Sequence, residues 1–129
     1  MEIRREDKTI EHYLALSSAF KIKSTLEEFL KGRGEIYTLR NNGTLEGLIN
    51  YSFLGDRINI NYVLVFNKIQ GLGTLLLKHI LTKGKHFTCS IRESNIPSIR
   101  FFVKHGFEEY AVEQYSDGEN KIKMRYGTP

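Results

Sequence analysis

The chain has 129 residues, with 19 Lys plus Arg against 15 Asp plus Glu, four His and a formal net charge of +4. This length predicts a single domain over residues 1–129, and the one cysteine excludes an internal disulfide framework or a cysteine-rich zinc site. No apolar run approaches the ~20 residues that span a bilayer, and the charged N-terminal stretch lacks the apolar segment of a signal peptide. We therefore expect a cytoplasmic protein with no metal and no membrane partner.

The first third of the chain predicts one strand and two helices. Residues 1–5 fit a short strand, and apolar residues between Thr9 and Phe20 recur at helical spacing. Ser24–Glu27 has the pattern of a capping box, which predicts the start of a second helix that ends at Gly32 or Gly34.

The middle third has the pattern of an antiparallel meander. Two β-rich runs, 35–40 and 45–54, flank Asn41–Thr44. Its Asn-Gly pair favours a two-residue hairpin turn, because both central positions of that turn need a positive φ. After a second turn at Gly55–Asp56, residues 57–63 alternate between apolar and polar side chains and predict a fourth strand.

The last third predicts two more helices and three more strands. A strand–helix–strand order indicates one parallel pair, so the fold class is α/β with a mixed, mostly antiparallel sheet of six or seven strands and about four helices. Lys121, Lys123 and Arg125 are interpreted as the solvated face of an edge strand. The predicted elements are a helix from 72 to about 84, a strand over 86–91, a helix over 97–105, and strands over 107–115 and 120–126.

The stretch Lys68–Thr74 lies between a predicted strand and a predicted helix. Gly71 and Gly73 let the backbone curl so that successive N–H groups converge, and the first helical turn adds unpaired N–H groups. This chemistry suits a compact pyrophosphate. No Lys-Ser or Lys-Thr pair follows the second glycine, so the stretch is not a Walker-type loop. Leu76 stands where the dinucleotide-binding fingerprint has its third glycine, so the stretch is not that loop either.

Two segments of the chain resemble the GNAT family of N-acetyltransferases. Residues 62–76 resemble the family's acetyl-CoA-binding strand and loop. Residues 95–107 resemble its second segment, with an Asn, a small residue three positions later and a closing Gly-Phe. The resemblance implies a sheet splayed between its fourth and fifth strands, and acetyl-CoA as the acyl donor. By position in these segments, the implied CoA-binding residues are Tyr62, Val63, Leu64, Lys68, Ile69, Gln70, Gly71, Leu72, Gly73, Thr74, Asn95, Ser98, Phe101 and Phe102.

Three positions depart from the family pattern. Lys68 replaces the usual Arg or Gln, although an ammonium still serves a pyrophosphate as a point charge. Val65 stands where proline is frequent. Phe102 stands where many members have a Tyr that is placed to protonate the leaving thiolate, and phenylalanine cannot do this.

Direct attack of an amine on the thioester, as the resemblance implies, requires the amine to be neutral, and a general base helps. The predicted fourth strand contains no carboxylate and no histidine; Asn59 and Asn61 can orient a group but cannot take a proton. The catalytic residues are therefore unassigned. Candidate bases are Glu35, Glu46, His86 and Glu93, and candidate acids are Cys89, Ser90, Tyr110 and Tyr115.

Three functions are compatible with these patterns. The first is an acetyl-CoA-dependent N-acetyltransferase acting on a primary amine of a small molecule or protein. The second, favoured by Phe102, is a catalytically weak or inactive CoA-binding regulatory module. The third, a nucleic-acid-binding protein, is not indicated, because the basic residues are scattered. The resemblance implies that residues 9–32 and 107–126 build the acceptor surface. We expect the chain to be a monomer or a homodimer.

Overall fold

Seven strands form one mixed sheet, with helices on both of its faces. The structure is a computed structural model that describes residues 1–66 and 71–127. The sheet order is β1-β2-β3-β4-β5-β7-β6, in which only β4 and β5 are parallel, so the predicted fold class is confirmed. The elements are β1 (Glu2–Glu6), α1 (Ile10–Ala19), α2 (Leu26–Lys31), β2 (Glu35–Asn41), β3 (Thr44–Leu54), β4 (Arg57–Val65), α3 (Leu72–Leu81), β5 (His86–Arg92), α4 (Ile96–Lys104), β6 (Glu108–Gln114) and β7 (Asn120–Gly127).

Strand alternation divides the apolar side chains between two cores. On β3, Ile49 and Tyr51 join a core with α3 and α4 on one face of the sheet, and Leu48 joins a smaller core with Leu16 of α1 on the other. The smaller core lies under α1 and α2. The buried side chain of Asn50 lies on the same face of β3 as Leu48, toward α1 and α2.

Local turn chemistry was predicted well. Asn42 and Gly43 have φ values of 51° and 82°, which confirms the two-residue hairpin between β2 and β3. Gly106 follows α4 with a φ of 91°, as expected of the glycine after a helix.

Two predictions are wrong. The N-cap of α2 is Thr25 rather than Ser24, because the Thr25 hydroxyl accepts the N–H of Glu28 at 3.2 Å. The strand with Lys123 and Arg125 is not an edge strand: β7 lies between β5 and β6. The two cations are paired across β7 and β6 with Glu113 and Glu108, both at 3.3 Å.

The parallel pair of strands separates after three residue pairs. Ile58, Asn59 and Ile60 pair with Phe87, Thr88 and Cys89. Beyond that point β4 continues along β3, and β5 continues along β7. The sheet therefore opens into a wedge between β4 and β5, as the family resemblance implied.

A β-bulge on β4 lies at the mouth of this wedge. Tyr51 pairs with Ile60 while Asn50 pairs with Tyr62, so Asn61 is the extra residue on β4. The bulge interrupts the alternation of side chains. As a result, Asn61 and Tyr62 both extend toward α1 and α2.

None of the helices in the described ranges is both long enough and apolar enough to cross a membrane.

Candidate active site

A cavity of about 290 Å³ lies on the α1–α2 face of the sheet, where β4 and β5 separate. The floor is formed by the sheet, and the wall by α2 and the segment that joins α1 to it. The lining residues are Ile22, Ser24, Phe29, Asn50, Asn59, Ile60, Asn61, Tyr62 and Ser90. The cavity thus combines apolar walls with a polar floor, which is the composition of a binding site for a small molecule.

Three asparagine side chains form a hydrogen-bonded chain across the floor. The Asn61 amide donates to Asn50 Oδ1 at 3.1 Å and to Ser52 Oγ at 3.0 Å. Asn59 Nδ2 donates to Asn61 Oδ1 at 2.8 Å, and the Thr88 hydroxyl donates to Asn59 Oδ1 at 2.8 Å. The chain therefore connects β5, β4 and β3.

The direction of this chain is fixed by a backbone carbonyl. Asn50 Nδ2 donates to the main-chain oxygen of Glu35 at 3.1 Å, and that oxygen can only accept. Asn50 Oδ1 must then face the Asn61 NH₂ group, which leaves Asn61 Oδ1 to accept from the Asn59 NH₂ group. Asn59 Oδ1 is then the atom that faces the Thr88 hydroxyl. Because each orientation determines the next, the amide oxygens present a defined set of acceptors to the cavity.

None of the four candidate bases lines the cavity. The Glu35 carboxylate pairs with Arg5 at 3.5 Å, and Glu93 accepts from Asn120 at 3.1 Å. Glu46 lies at a bulge where β2 and β3 pair, and His86 begins β5. The four residues that the sequence suggested as general bases therefore do not form part of this cavity.

Of the four candidate acids, only Ser90 lines the cavity. Cys89 is 2% exposed in the larger core, and burial raises the pKa of its thiol to about 12, as expected of an inert core cysteine. Tyr110 packs with Lys123 and Arg125 on β6 and β7. Tyr115 lies beneath the Arg92 guanidinium, at 4.1 Å from its ring centroid.

The Tyr62 side chain is a lining residue whose ring the sequence did not single out. The resemblance implied only that its main chain binds CoA. Its ring lies 4.8 Å from that of Phe20, and burial raises the pKa of its hydroxyl. The bulge that turns this ring toward the cavity depends on pairing between strands, so no local sequence signal could reveal it.

The implied CoA-binding strand runs along the open side of the wedge. Tyr62, Val63 and Leu64 pair with β3 on one edge. Within the described residues, their other edge has no strand partner beyond Ile60. Its main-chain N–H and C=O groups therefore face the wedge.

The described part of the phosphate loop consists of the first residues of α3. Gly71 caps α3 with a φ of 96°, and a Cβ there would meet no atom of the described residues within 4 Å, so on that side this backbone is open to a ligand. Gly73 instead allows close packing, because its Cβ would lie 3.3 Å from the ring of Phe101. Leu72 is buried in the larger core. Lys68, Ile69 and Gln70 lie outside the described residues.

A histidine orients the hydroxyl of Thr74. His105 Nδ1 lies 2.8 Å from the carbonyl oxygen of Phe101, so it must donate its proton there. In the neutral imidazole His105 Nε2 is then an acceptor, and the Thr74 hydroxyl, 3.1 Å away, donates to it. Both lone pairs of this hydroxyl can then accept a hydrogen bond from a ligand at the start of α3.

The second implied segment forms α4. Asn95 is its N-cap, and Asn95 Oδ1 accepts the N–H of Ser98 at 3.4 Å. Phe102 is 6% exposed and packs against Phe101 and Phe107, with ring centroids 5.3 and 5.0 Å away. Their implied contacts with CoA stay predictions.

No group of three or more His, Cys, Asp or Glu in the described part of the chain is arranged to hold a metal ion.

The family model for the acetyltransferase (GNAT) family matches residues 1–107. The chain belongs to the GNAT family of acetyltransferases. The match includes β1 to α4 of this GNAT chain, and therefore the wedge and every lining residue of the cavity. A comparison with curated proteins gives no significant match.

Solved structures with the same fold include three acetyltransferases. A GNAT acetyltransferase from Elizabethkingia anophelis with acetyl-CoA bound has a TM-score of 0.82 and 19% identity, over 98% of this GNAT chain and 97% of that chain. A Bacillus subtilis acetyltransferase in complex with CoA has a TM-score of 0.80 and 20% identity, over 98% of each chain. The ribosomal-protein-S18-alanine N-acetyltransferase of Escherichia coli has a TM-score of 0.78 and 20% identity, over 98% and 94%.

Proposed function

We propose that this chain is an acetyl-CoA-dependent N-acetyltransferase that transfers an acetyl group to a primary amine. The observation that carries the proposal is the wedge between β4 and β5, which opens directly onto the amide-lined cavity. A donor in the wedge and an acceptor in the cavity would meet at the bulge. Family membership and two structural neighbours that hold acetyl-CoA or CoA support this arrangement.

The exposed edge of β4 is suited to the pantetheine arm of CoA. That arm contains amide groups, and the main-chain groups of Tyr62, Val63 and Leu64 offer them strand-like hydrogen bonds. The open backbone at Gly71 and the N-terminus of α3 suit the pyrophosphate. Lys68, from the sequence, would add a positive charge to this loop.

The reaction we propose is direct attack on the thioester. The amine nitrogen forms a bond to the acetyl carbon, the carbon–sulfur bond breaks, and its electron pair goes to sulfur. The nitrogen loses one proton and the thiolate gains one, through solvent. A main-chain N–H of β4 beside the bulge at Asn61 would stabilise the negative charge on the carbonyl oxygen.

A pair of glycine variants tests the proposed binding loop. Gly71→Glu places a carboxylate at the cap of α3, where it repels a pyrophosphate, and we expect acetyl-CoA binding to be lost. Gly43→Glu is the matched control, since Gly43 also has a positive φ and open space around it, but lies in the β2–β3 hairpin. Calorimetric titration with acetyl-CoA measures both. Equal affinity in Gly71→Glu and wild type would place the phosphates elsewhere.

The competing function is a CoA-binding module with little or no catalysis. It is favoured by Phe102, which has no hydroxyl for the departing thiolate. Release of free thiol from acetyl-CoA with a panel of amines separates the two: turnover supports the enzyme, and tight binding without turnover supports the module. The proposal keeps the cytoplasm as the setting, in line with a single cysteine, and residues 1–129 as one domain.

A further inference from the structure

Among the described residues, every polar group that lines the candidate acceptor cavity is uncharged. The lining contains three amides, the hydroxyls of Ser24 and Ser90, and the Tyr62 phenol, whose raised pKa keeps it neutral. A carboxylate that could attract an ammonium ion or remove its proton is absent from this lining.

The charges at the rim do not supply that carboxylate either. Lys23 Nζ donates to Ser116 Oγ at 2.6 Å, on the side of the cavity formed by the α1–α2 connection. Arg92 lies two residues after Ser90, on the same face of β5, and pairs with Asp117 and Glu119, both at 2.8 Å. Both acids are therefore already paired with the Arg92 guanidinium, and Lys23 supplies a second cation beside them.

The remaining charged groups of the surrounding elements are engaged or exposed. Glu35 of β2 pairs with Arg5, and Glu27 of α2 pairs with Lys31. Glu28 is exposed on α2, Lys21 is exposed beside Ile22, and burial raises the pKa of Tyr115. A cationic amine thus finds no counter-ion that faces the cavity within the described residues.

The amide chain offers what a neutral amine needs. Each carbonyl oxygen has two lone pairs, and the chain uses one of them on Asn50, Asn59 and Asn61. The free lone pairs can accept the two N–H groups of an uncharged amine. The nitrogen lone pair then remains available for attack toward the wedge.

We propose that the cavity selects a compact primary amine of low basicity, such as an α-amine, and takes it in its neutral form through the amide oxygens of Asn59 and Asn61. This inference rests on the proposed acetyl transfer. The enzyme removes no proton before the nitrogen–carbon bond forms, so the basicity of the acceptor sets the pH dependence.

Glycinamide and n-propylamine test this selection, because they are similar in size and differ in basicity. At pH 7.5 about a third of an α-amine with pKa ~7.8 is neutral, against roughly one part in 800 of an amine with pKa ~10.4. We expect kcat/KM to be at least tenfold higher for glycinamide, with a rise that bends at about pH 7.8 and levels by about pH 9. For n-propylamine the rise should continue beyond pH 9.

Asn61→Asp provides a variant with the opposite selectivity. The new carboxylate keeps the hydrogen bond from Asn59 and can accept the Ser52 hydroxyl, but it loses the hydrogen bond to Asn50 Oδ1 and faces that oxygen instead. The carboxylate would therefore favour a cation beside it, which it can bind and deprotonate. We expect kcat/KM to rise at least tenfold for n-propylamine and to fall for glycinamide, a reversal that general destabilisation cannot produce. If Asn61→Asp does not fold, Ser90→Asp also places a carboxylate in the cavity lining and should change the selectivity in the same direction. Asn41→Asp, at an exposed strand end, should leave the ratio unchanged.

Three outcomes overturn the inference. They are a higher kcat/KM for n-propylamine than for glycinamide in the wild type at pH 7.5, pH profiles of kcat/KM that rise with the same apparent pKa for both amines, or turnover of other amines but not of glycinamide. Failure of the proposed function looks different, because acetyl-CoA would then either not bind or bind without turnover of any amine in the panel.

Discussion

Replacing Glu6 by Gln tests the charged cluster that joins β1, α1 and β2. Arg40 donates to both Glu6 carboxylate oxygens, at 2.6 and 2.9 Å. Thr38, Arg4 and His12 add hydrogen bonds of 2.6, 3.0 and 3.0 Å. The Arg40 hydrogen bonds are the main reason that the pKa of Glu6 lies far below its ordinary value of 4.5, and the other three donors lower it further.

The sign of the pH effect follows from that lowered pKa. In the unfolded chain Glu6 binds a proton near pH 4.5, whereas in the folded chain it stays ionised well below that pH. Its contribution to stability is therefore complete above pH 4.5 and is lost as the pH falls. In that acidic window this residue alone changes the free energy of unfolding by about 1.4 kcal/mol per pH unit.

Glu6→Gln should lower the free energy of unfolding at pH 7 by about 2–4 kcal/mol, because it leaves the poorly exposed Arg40 without its main counter-ion. Urea denaturation at pH 7, 4 and 3 measures this loss. The difference from wild type should shrink as the pH falls. Glu2→Gln is the control: Glu2 pairs with Arg4 at 3.2 Å but its side chain is 64% exposed, so we expect a change below ~1 kcal/mol. A Glu6→Gln difference that does not change with pH would refute the reasoning.

The other predictions concern packing and capping. Gly47→Ala should lower the free energy of unfolding by about 1–3 kcal/mol, because its Cβ would lie 2.8 Å from the Leu64 carbonyl oxygen. Gly84→Ala should cost less, since its one tight contact is with the end of the Ile58 side chain at 3.1 Å. Equal losses in urea denaturation would contradict this. Cys89 should react with a thiol reagent only on unfolding, because it is buried and the pKa of its thiol is about 12; rapid labelling of the native protein would disprove its core position.

Features set by neighbouring residues could be predicted from the sequence. The Asn42–Gly43 turn depends only on the φ values that these residues tolerate. The α3 helix follows from apolar spacing, and its predicted start at residue 72 agrees with the structure. In both cases the deciding pattern lies within about ten consecutive residues.

Features set by strand pairing could not be predicted in this way. The alternation of Asn59 and Asn61 was visible, but their connection to Asn50 depends on the register between β3 and β4. The position of β7 inside the sheet also depends on pairing with β5, which is distant in sequence. The basic residues of β7 were therefore predicted to lie on an exposed edge, whereas Lys123 and Arg125 pair with Glu113 and Glu108 of β6.

Thermal unfolding with acetyl-CoA tests the central claim, that the wedge and the loop before α3 bind this donor. At 100 times its dissociation constant, acetyl-CoA should stabilise the protein by ~2.7 kcal/mol, which for a chain of this size raises Tm by roughly 8–10 °C. The Gly71→Glu variant should show no rise. An unchanged Tm in the wild type at millimolar acetyl-CoA would contradict the account.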